Sequence, residues 1–587
     1  MIKHKEYIIK PEIHGAEAII CRELARDLEV PLILAELLYQ RGYITADAAK
    51  TFLDPKLADL PSPFGLKGMR TAVELILEAV ISRSQVVVHG DYDVDGITAT
   101  VLLVDFIRKL DLEVIYHLPN RMTEGYGLSM SSVAHLAEKV TMPALFITVD
   151  CGISSTDEIQ YARELGFKVI VTDHHEPSSE LPKAQAIINP KRSDCKFECK
   201  ELSGVGVAFF LAMAIRIKMV EQRFWKKNNA PNLKKYLDYV ALGTVADVMK
   251  LVDTNRVLVK AGLEVITAKN KPGIWALCEC AGIRDGVVTA EDISFRLAPR
   301  INAAGRLGKP QLAADLLLSR DVGEAQDLAL ALEQANTKRR ELEKTALDDA
   351  MKQAEQQVDS NRRGLVLFSS NWHPGVVGII AARVVDRFRL PVLVFTRDTV
   401  PDSKMLKASG RSVPGLNLFQ LLQQCDNHIV QFGGHPMAAG LTIFSDNYDQ
   451  FSEVFNKCVC KMMHVTEPEG VVIDMIMSVE DNCEEIANSL KSMEPFGLGN
   501  PEPVFLLKNI RMKKVTRLRD HLKFSLRING NQIHGIGFFQ AALFEVASRP
   551  VDLGFKLKQT TFRGRKRIEA HVVAINPRYP LSEIGRE

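Results

Sequence analysis

The segment QVVVHGDYDVDGITATVLLVDFI, residues 85–107, decides the fold. A short run of β-branched residues stops at His89, three aspartates follow within five residues, and apolar residues return at helical spacing after Gly96. That is the signature of a strand, a polar loop and a helix. Three more apolar runs repeat the pattern: LEVIYHL (112–118), ALFITV (144–149) and FKVIVT (167–172). Helical spacings fill 99–110, 131–139 and 157–165. Short, wholly apolar strands alternating with helices predict a parallel sheet covered on both faces. Ligands bind such sheets at the carboxyl ends of the strands. His89, Asp91, Asp93 and Asp95 fall at one such end, Asp150 closes ALFITV, and Asp173, His174 and His175 close FKVIVT. Asp247 follows the helix-like YLDYVALGTVA.

Three carboxylates packed into five residues repel one another unless a cation neutralises them. A lone DxD reads more simply as a hydrogen-bonded loop, but four acidic or histidine-bearing segments converging on one sheet edge do not. The mixed histidine and carboxylate set suits two octahedral ions, Mn²⁺ or Mg²⁺, better than zinc. Two such ions a few ångströms apart form a phosphoryl-hydrolysis site. The ten cysteines are expected to be reduced and without metal, since their close pairs (195/199, 278/280, 458/460) lie far apart with no histidine at matching offsets. GVGVAFF (204–210) opens a helix with no βαβ strand before it and reads as helix packing.

At 587 residues the chain is too long for one domain. Lys+Arg of 74 against Asp+Glu of 72 gives +2, which excludes a globally basic coat but not local basic patches. The longest apolar stretch, 205–215, is too short to span a membrane, and MIKHKEYIIKPEIH has no apolar leader, so a cytoplasmic location is expected. We divide the chain into an N-terminal helical segment and linker (1–70), a parallel-sheet domain (71–320), a connecting helix (321–363), a second α/β domain (364–465), a β-rich domain (466–575) and a tail (576–587). Residues 324–363 lack Gly and Pro and carry a helical apolar stripe at Leu342, Ala346, Leu347, Ala350, Met351, Ala354 and Val358. This reads as a strut with a solvated charged face.

HGDYDVDG, ITVDCG, VTDHHE and LGTVADV, in this order, resemble the four motifs of the DHH phosphoesterase superfamily. PRINAAGRLG (299–308), SGRSVPGLNL (409–418), QFGGHPMAAG (431–440) and MEPFGLGNPEPVF (493–505) resemble its bacterial RecJ-type single-strand exonucleases. The resemblance covers roughly 30–575 and implies a DHH domain, a DHH-associated domain and an OB-type barrel. It implies 5′→3′ hydrolysis of single-stranded DNA to mononucleotides in recombination and repair. One ion is then expected on His89, Asp93 and Asp150 and held more loosely, and the other on Asp95, Asp150, His174 and Asp247. Asp91 would support the loop and His175 would face the scissile phosphate. The implied partners are single-stranded DNA, a single-strand binding protein, and a helicase or recombination mediator, with the chain a monomer. A DHH hydrolase of small or short-oligonucleotide substrates, and a non-catalytic single-strand-binding scaffold, stay open as alternatives.

Four segments read as substrate-binding. SGRSVPG and GGHPMAAG set Gly433 and Gly434 backbones beside Ser409, Arg411, Ser412 and His435. PRINAAGRLG supplies Arg300, Asn302 and Arg306, and LPNRMTEGYG supplies Arg121. In the β-rich region, 508–527 holds eight basic residues and one acidic, and 556–567 holds six basic and none acidic. With Gly-rich turns this suits an OB-type barrel contacting a strand through Lys513, Lys514, Arg517 and Arg519. The interleaved Phe505, Phe524, Phe538, Phe539, Phe555 and Phe562 read, by themselves, as core.

Overall fold

The computed structural model describes residues 6–125, 127–398, 403–463, 470–562 and 565–577. Tyr126, most of the TEPEG stretch and the tail from 578 lie outside the described residues. The chain forms two compact units, one made of 61–250 and 258–466, the other of 1–60, 251–257 and 467–587.

In the larger unit the expected parallel sheet is present. Its order is Val114–His117, Val86–His89, Leu145–Val149, Lys168–Thr172, Ala186–Ile188, all parallel. The fifth strand, three residues long, was not among the predicted strands. Val86, Val87 and Val88 are fully buried, because helices cover both faces. Val87, Phe146, Val169 and Val171 pack against Val133, Leu136, Ile159 and Ala162 on one side. The opposite side meets Val94–Arg108, a helix buried along nearly its whole length.

The second α/β region has a mixed sheet ordered Gln431–His435, Ala438–Phe444, Met405–Arg411, Val392–Arg397, Leu365–Phe368. Only the last pair is parallel. The connecting helix runs Val322–Asp359, about 57 Å at the usual rise. It is more than a strut. Ala325, Ala329 and Leu332 are buried in its first half, where it packs on Pro272–Cys280 and Ala298–Arg306, while Ala346, Ala350 and Ala354 enter the core of the second sheet. The predicted apolar stripe is the buried face, and small residues let the helix approach the sheet closely.

In the smaller unit, the N-terminal helices Gly15–Leu28, Leu32–Gln40 and Ala46–Leu53 share one core with the β-rich region. Tyr7–Ile9 pairs in parallel with Val471–Ile473, and the Tyr7 hydroxyl donates to the Asp552 carbonyl (2.9 Å). The seven-stranded sheet runs from Met475–Met477 at one end to the edge strand Lys513–Leu518 at the other, with no pairing among the described residues that closes it. Among the described residues no helix is long and apolar enough to cross a membrane.

Ala350 is fully buried in the core of the second sheet. Ala350→Leu should cost about 1–3 kcal/mol by overpacking. It should lower the denaturation midpoint of the second α/β region, followed by amide exchange in Leu365–Phe368 and Val392–Arg397.

Candidate active site

The sheet edge is built by backbone groups that aim carboxylates inward. Asp93 caps the helix Val94–Arg108, its side chain accepting the Gly96 N–H (3.0 Å). Asp95, in the first turn, is buried, and its two oxygens accept the N–H groups of Gly204 (2.6 Å) and Val205 (2.9 Å). Those amides open the helix Gly204–Glu221, whose positive end favours the carboxylate. GVGVAFF therefore does more than pack a helix, correcting the sequence reading. A Cβ on Gly204 would lie 2.5 Å from Asp150 Oδ1, and one on Gly243 would lie 2.6 Å from Asp95 Oδ1. Asp150 leaves its strand with φ 61°, and Val248, next to Asp247, has φ 56°. For a β-branched residue that is a genuine outlier.

His174 is the hub. Its Nε2 lies 3.1 Å from Asp150, 3.5 Å from Asp247 and 3.8 Å from Asp95. The ligand atoms of Asp95, His174 and Asp247 all lie within 4.8 Å of one another, as do those of Asp150, His174 and His175. The expected set of Asp95, Asp150, His174 and Asp247 is thus brought together. The other expected set is not gathered in the same way. Asp91, Asp93 and Asp150 converge within 4.8 Å, and His89 is absent from that group. His89 belongs to the strand itself. Its ring packs on His117 and Phe146, with Nδ1 3.8 Å from Cys151 Sγ. Asp91, expected to support the loop and counted with Asp93, Asp150 and His175 among the catalytic residues, faces the cluster.

Burial and then the facing carboxylates push Asp91, Asp95 and Asp150 well above the usual range, and Asp247 up to about 7. Burial drives His89 and His174 down to about 3, so both are neutral bases. His175 behaves oppositely: burial would lower it, but its hydrogen bond to Asp173 (2.7 Å) and that charge raise it to about 9. Asp173, unassigned from sequence, also accepts the N–H groups of Ile153 and His174 and so sets both histidines. His89 Nε2 and Asp91 Oδ1 are buried without a hydrogen-bond partner among the described residues. Crowded carboxylates, neutral imidazoles and unmatched buried acceptors fit hard divalent cations.

A second group is cationic. Arg306 is held near Arg121, Arg339 and Arg411; burial first, then these neighbours, lowers it to about 10. Its Nη1 donates to the Gly375 carbonyl (3.2 Å). Arg121 lies 5.3 Å from the Tyr92 ring centroid, within the DYD loop. Arg411 and Ser409 alternate along Met405–Arg411, so both point to one face. Across the ladder Ser409 faces Gly440 and then Gly433, while Arg411 faces Ala438 and then His435. Small residues between the polar ones leave a shallow floor. Gly434 lies in the neighbouring row, opposite Ala439, with φ 145°. Asn302 is half-buried on the Arg306 helix, one turn earlier.

Two expected contacts turn inward. Arg300 is buried and pairs with Glu333 of the connecting helix (2.6 Å), while Nη1 donates to the Arg296 carbonyl. The Ser412 hydroxyl, also buried, donates to the Leu416 carbonyl (2.7 Å). Both side chains are directed to partners within the fold, which departs from the expectation of strand contact.

In the smaller unit Lys513, Lys514, Arg517 and Arg519 are exposed on or just after the edge strand. Phe505, Phe524 and Phe555 are core as expected, but Phe538 and Phe539 are 48% and 81% exposed. Phe539 adopts φ 57°, its N–H donating to His521 Nδ1 (3.0 Å), and its ring stands edge-on to the His521 ring. A phenylalanine held exposed in the left-handed region is strained. The side chain of Phe562 lies outside the described residues.

Comparison with known proteins accounts for most of the chain. Residues 85–244 match the DHH family, N-terminal domain; 361–461 match the DHHA1 domain; 473–574 match the RecJ OB domain. The single-stranded-DNA-specific exonuclease RecJ of Escherichia coli is 37% identical over 565 residues, 94% of this chain and 96% of that protein. Its Haemophilus influenzae counterpart is 36% identical over 541 residues, 89% and 93%. The Bacillus subtilis protein of the same name is 36% identical, and the chain spans 65% of its length. The crystal structure of RecJ from Thermus thermophilus in complex with Mn²⁺ superposes with TM-score 0.81 at 31% identity, covering 99% of this chain and 80% of that one. The Mg²⁺ complex gives 0.74 at 28%. With three matching domains in order and relatives aligned nearly end to end, the chain belongs to the RecJ family of single-stranded-DNA-specific exonucleases.

Proposed function

We propose that this chain is a metal-dependent exonuclease that shortens single-stranded DNA from its 5′ end to mononucleotides. The observation that carries this reading is the meeting of two opposite charge groups in one unit, the acidic cluster around His174 and the arginine group of Arg121, Arg306 and Arg411. Arg121 acts electrostatically on both, lowering Asp91 and Arg306 alike. An acidic metal centre beside a guanidinium set is suited to a phosphodiester near a terminal phosphate.

Asp95, Asp150, His174 and Asp247 would hold one divalent ion, Mn²⁺ or Mg²⁺. Asp93 and Asp150, with Asp91 beside them and His89 behind, would hold a second. Bound there, the ions supply Lewis-acid activation of water and neutralise charge developing on phosphorus oxygens. The chain's own part is to hold and orient. Gly204 and Val205 fix Asp95, and Asp173 fixes His174 and His175. His175, kept protonated at neutral pH by Asp173, can donate to a phosphate oxygen. Arg121, Arg306, Arg411, Ser409, His435 and the Gly433–Gly434 backbone would grip the 5′ terminus, with Asn302 at their margin. On the smaller unit, Lys513, Lys514, Arg517 and Arg519 would bind single-stranded DNA, with Phe539 offering a face for a base. Family membership supports a role in recombination and repair. Our reading further places the chain in the cytoplasm as a monomer, working with a single-strand binding protein and a helicase or recombination mediator.

Three outcomes test this. Asp150→Ala should cut release of nucleotides from a 5′-labelled single strand by more than about a hundredfold, beyond the loss typical of residues that merely orient metal ligands. Blunt duplex should resist. An Asp150→Ala enzyme that keeps a tenth of the rate removes the shared-carboxylate assignment.

The second outcome concerns pH. Burial and neighbouring charge hold Asp247 at about 7 in the folded chain against an ordinary 3.8. Between those values the folded state binds more protons than the unfolded state, so the metal-free protein loses stability as pH rises through this window. A divalent ion competes with the same protons. The Mn²⁺-dependent rise in Tm should therefore grow from pH 5 to pH 7.5 and shrink by several degrees in Asp247→Asn. Calorimetry with and without chelator checks both slopes.

The third separates charge from stacking. Replacing Lys513, Lys514, Arg517 and Arg519 with Ala should flatten the salt slope of single-strand binding by about 3 units. Phe539→Ala should weaken binding by about 1–3 kcal/mol with the slope unchanged, because stacking releases no counterions. A flat response in both variants would leave this surface without a strand-binding role.

A further inference from the structure

Arg121 makes no hydrogen bond or ion pair to another described residue, yet it stands among Arg306 and Arg411, all cationic. Like charges push it away from that position. The Tyr92 ring and the nearby Asp91 carboxylate attract it, without either holding it by a hydrogen bond. Its place must therefore be fixed by the backbone that carries it.

That backbone is fastened by Glu124. One oxygen of the Glu124 carboxylate lies 2.8 Å from His117 Nε2, and the other accepts the Asn120 N–H at 2.9 Å. The Glu124 N–H returns to the Asn120 carbonyl at 2.8 Å, closing the turn 120–124 on itself. Asn120 Oδ1 accepts the Met122 N–H (2.9 Å), and its Nδ2 donates to the Gly308 carbonyl (3.2 Å), two residues beyond Arg306. His117 stands on the strand next to His89, directly in register with it. The turn bearing Arg121 is thereby tied at one end to the metal-bearing sheet and at the other to the helix bearing Arg306.

We propose that Glu124 is a positioning residue, which with His117 and Asn120 clasps the 120–124 turn so that Arg121 stays aimed at the terminal phosphate alongside Arg306 and Arg411. This rests on the reading of those arginines as the grip on the 5′ end. Glu124 would act on neither DNA nor metal directly, since its two oxygens are engaged by His117 and Asn120. Its carboxylate holds the main chain of the turn and leaves the guanidinium free for the ligand.

The test compares oligodeoxynucleotides ending in a 5′-phosphate or a 5′-hydroxyl. Glu124→Ala should raise KM for the phosphorylated strand about tenfold, the scale of a lost charge-assisted hydrogen bond. KM for the hydroxyl strand and kcat should stay within about twofold on the same scale. Glu124→Gln, which keeps an acceptor for the Asn120 N–H, should restore most of the preference. Arg121→Ala should abolish the preference, and the double variant should be no worse than Arg121→Ala alone, as coupled positions require. Unchanged Mn²⁺ binding and Tm in Glu124→Ala separate a moved arginine from a damaged fold. If Arg121→Ala loses the terminus preference while Glu124→Ala keeps it, or if the two losses add, the clasp is wrong and the phosphate grip stands. If Arg121→Ala keeps the preference, the grip fails and the clasp falls with it.

Discussion

The mutual repulsion of five aspartates at one sheet edge is the constraint around which the larger unit is organised. Asp91, Asp95 and Asp150 are almost wholly excluded from water, and after burial the neighbouring carboxylates, Asp93 common to all three, raise the cost of ionising each. Buried like charges persist only where surrounding structure over-determines them. Here that structure is the apolar parallel sheet, the amides of Gly204 and Val205 on Asp95, and the close approach of two glycines that leaves the carboxylates their space. A fold of ordinary stability could not keep this arrangement without covering both sheet faces so thoroughly.

The connecting helix extends that rigidity to the second charge group. Because its alanines are embedded in two cores rather than spanning solvent, the Arg411 sheet is held against the Arg306 helix by packing on both sides. Arg300 contributes to the same end, locking its own helix to Glu333. Precision between the two charge groups thus comes from small apolar residues and an internal ion pair, far less visible in sequence than the charged residues they align.

The parts of the sequence that were legible share a property: function and local pattern coincide. An apolar run ending in acid or histidine marks both a strand and its ligand-bearing end, so Asp150, His174 and the DYDVDG loop could be placed before any coordinates. Asp247 was legible for a related reason, as the residue closing an apolar helix. What stayed hidden depends on direction rather than pattern. Arg300 and Arg306 lie six residues apart on neighbouring turns, and only tertiary packing turns one inward. His89 and Asp91 flank one glycine, yet the strand keeps the first among aromatic rings while the loop delivers the second. Continuing the alternation of Asn531–Gly537 would bury Phe539, and the left-handed turn at that residue exposes it instead. The three-residue strand Ala186–Ile188 is too short for any periodicity to reveal.

The shared core of the smaller unit carries a consequence for how the chain is made. Leu24, Leu34, Leu38 and Phe52 bury themselves against side chains such as Phe505, Phe524 and Phe555. More than 400 residues separate the last N-terminal helix from the first strand of that region. At about 5–20 residues per second the early helices wait roughly 20–80 s for their partners to leave the ribosome. Throughout that interval a greasy, half-formed surface is on display while the DHH and DHHA1 regions emerge and fold between them. The nascent polypeptide is thus most exposed to chaperones and proteases at its oldest end, and its maturation is completed only when its newest end arrives.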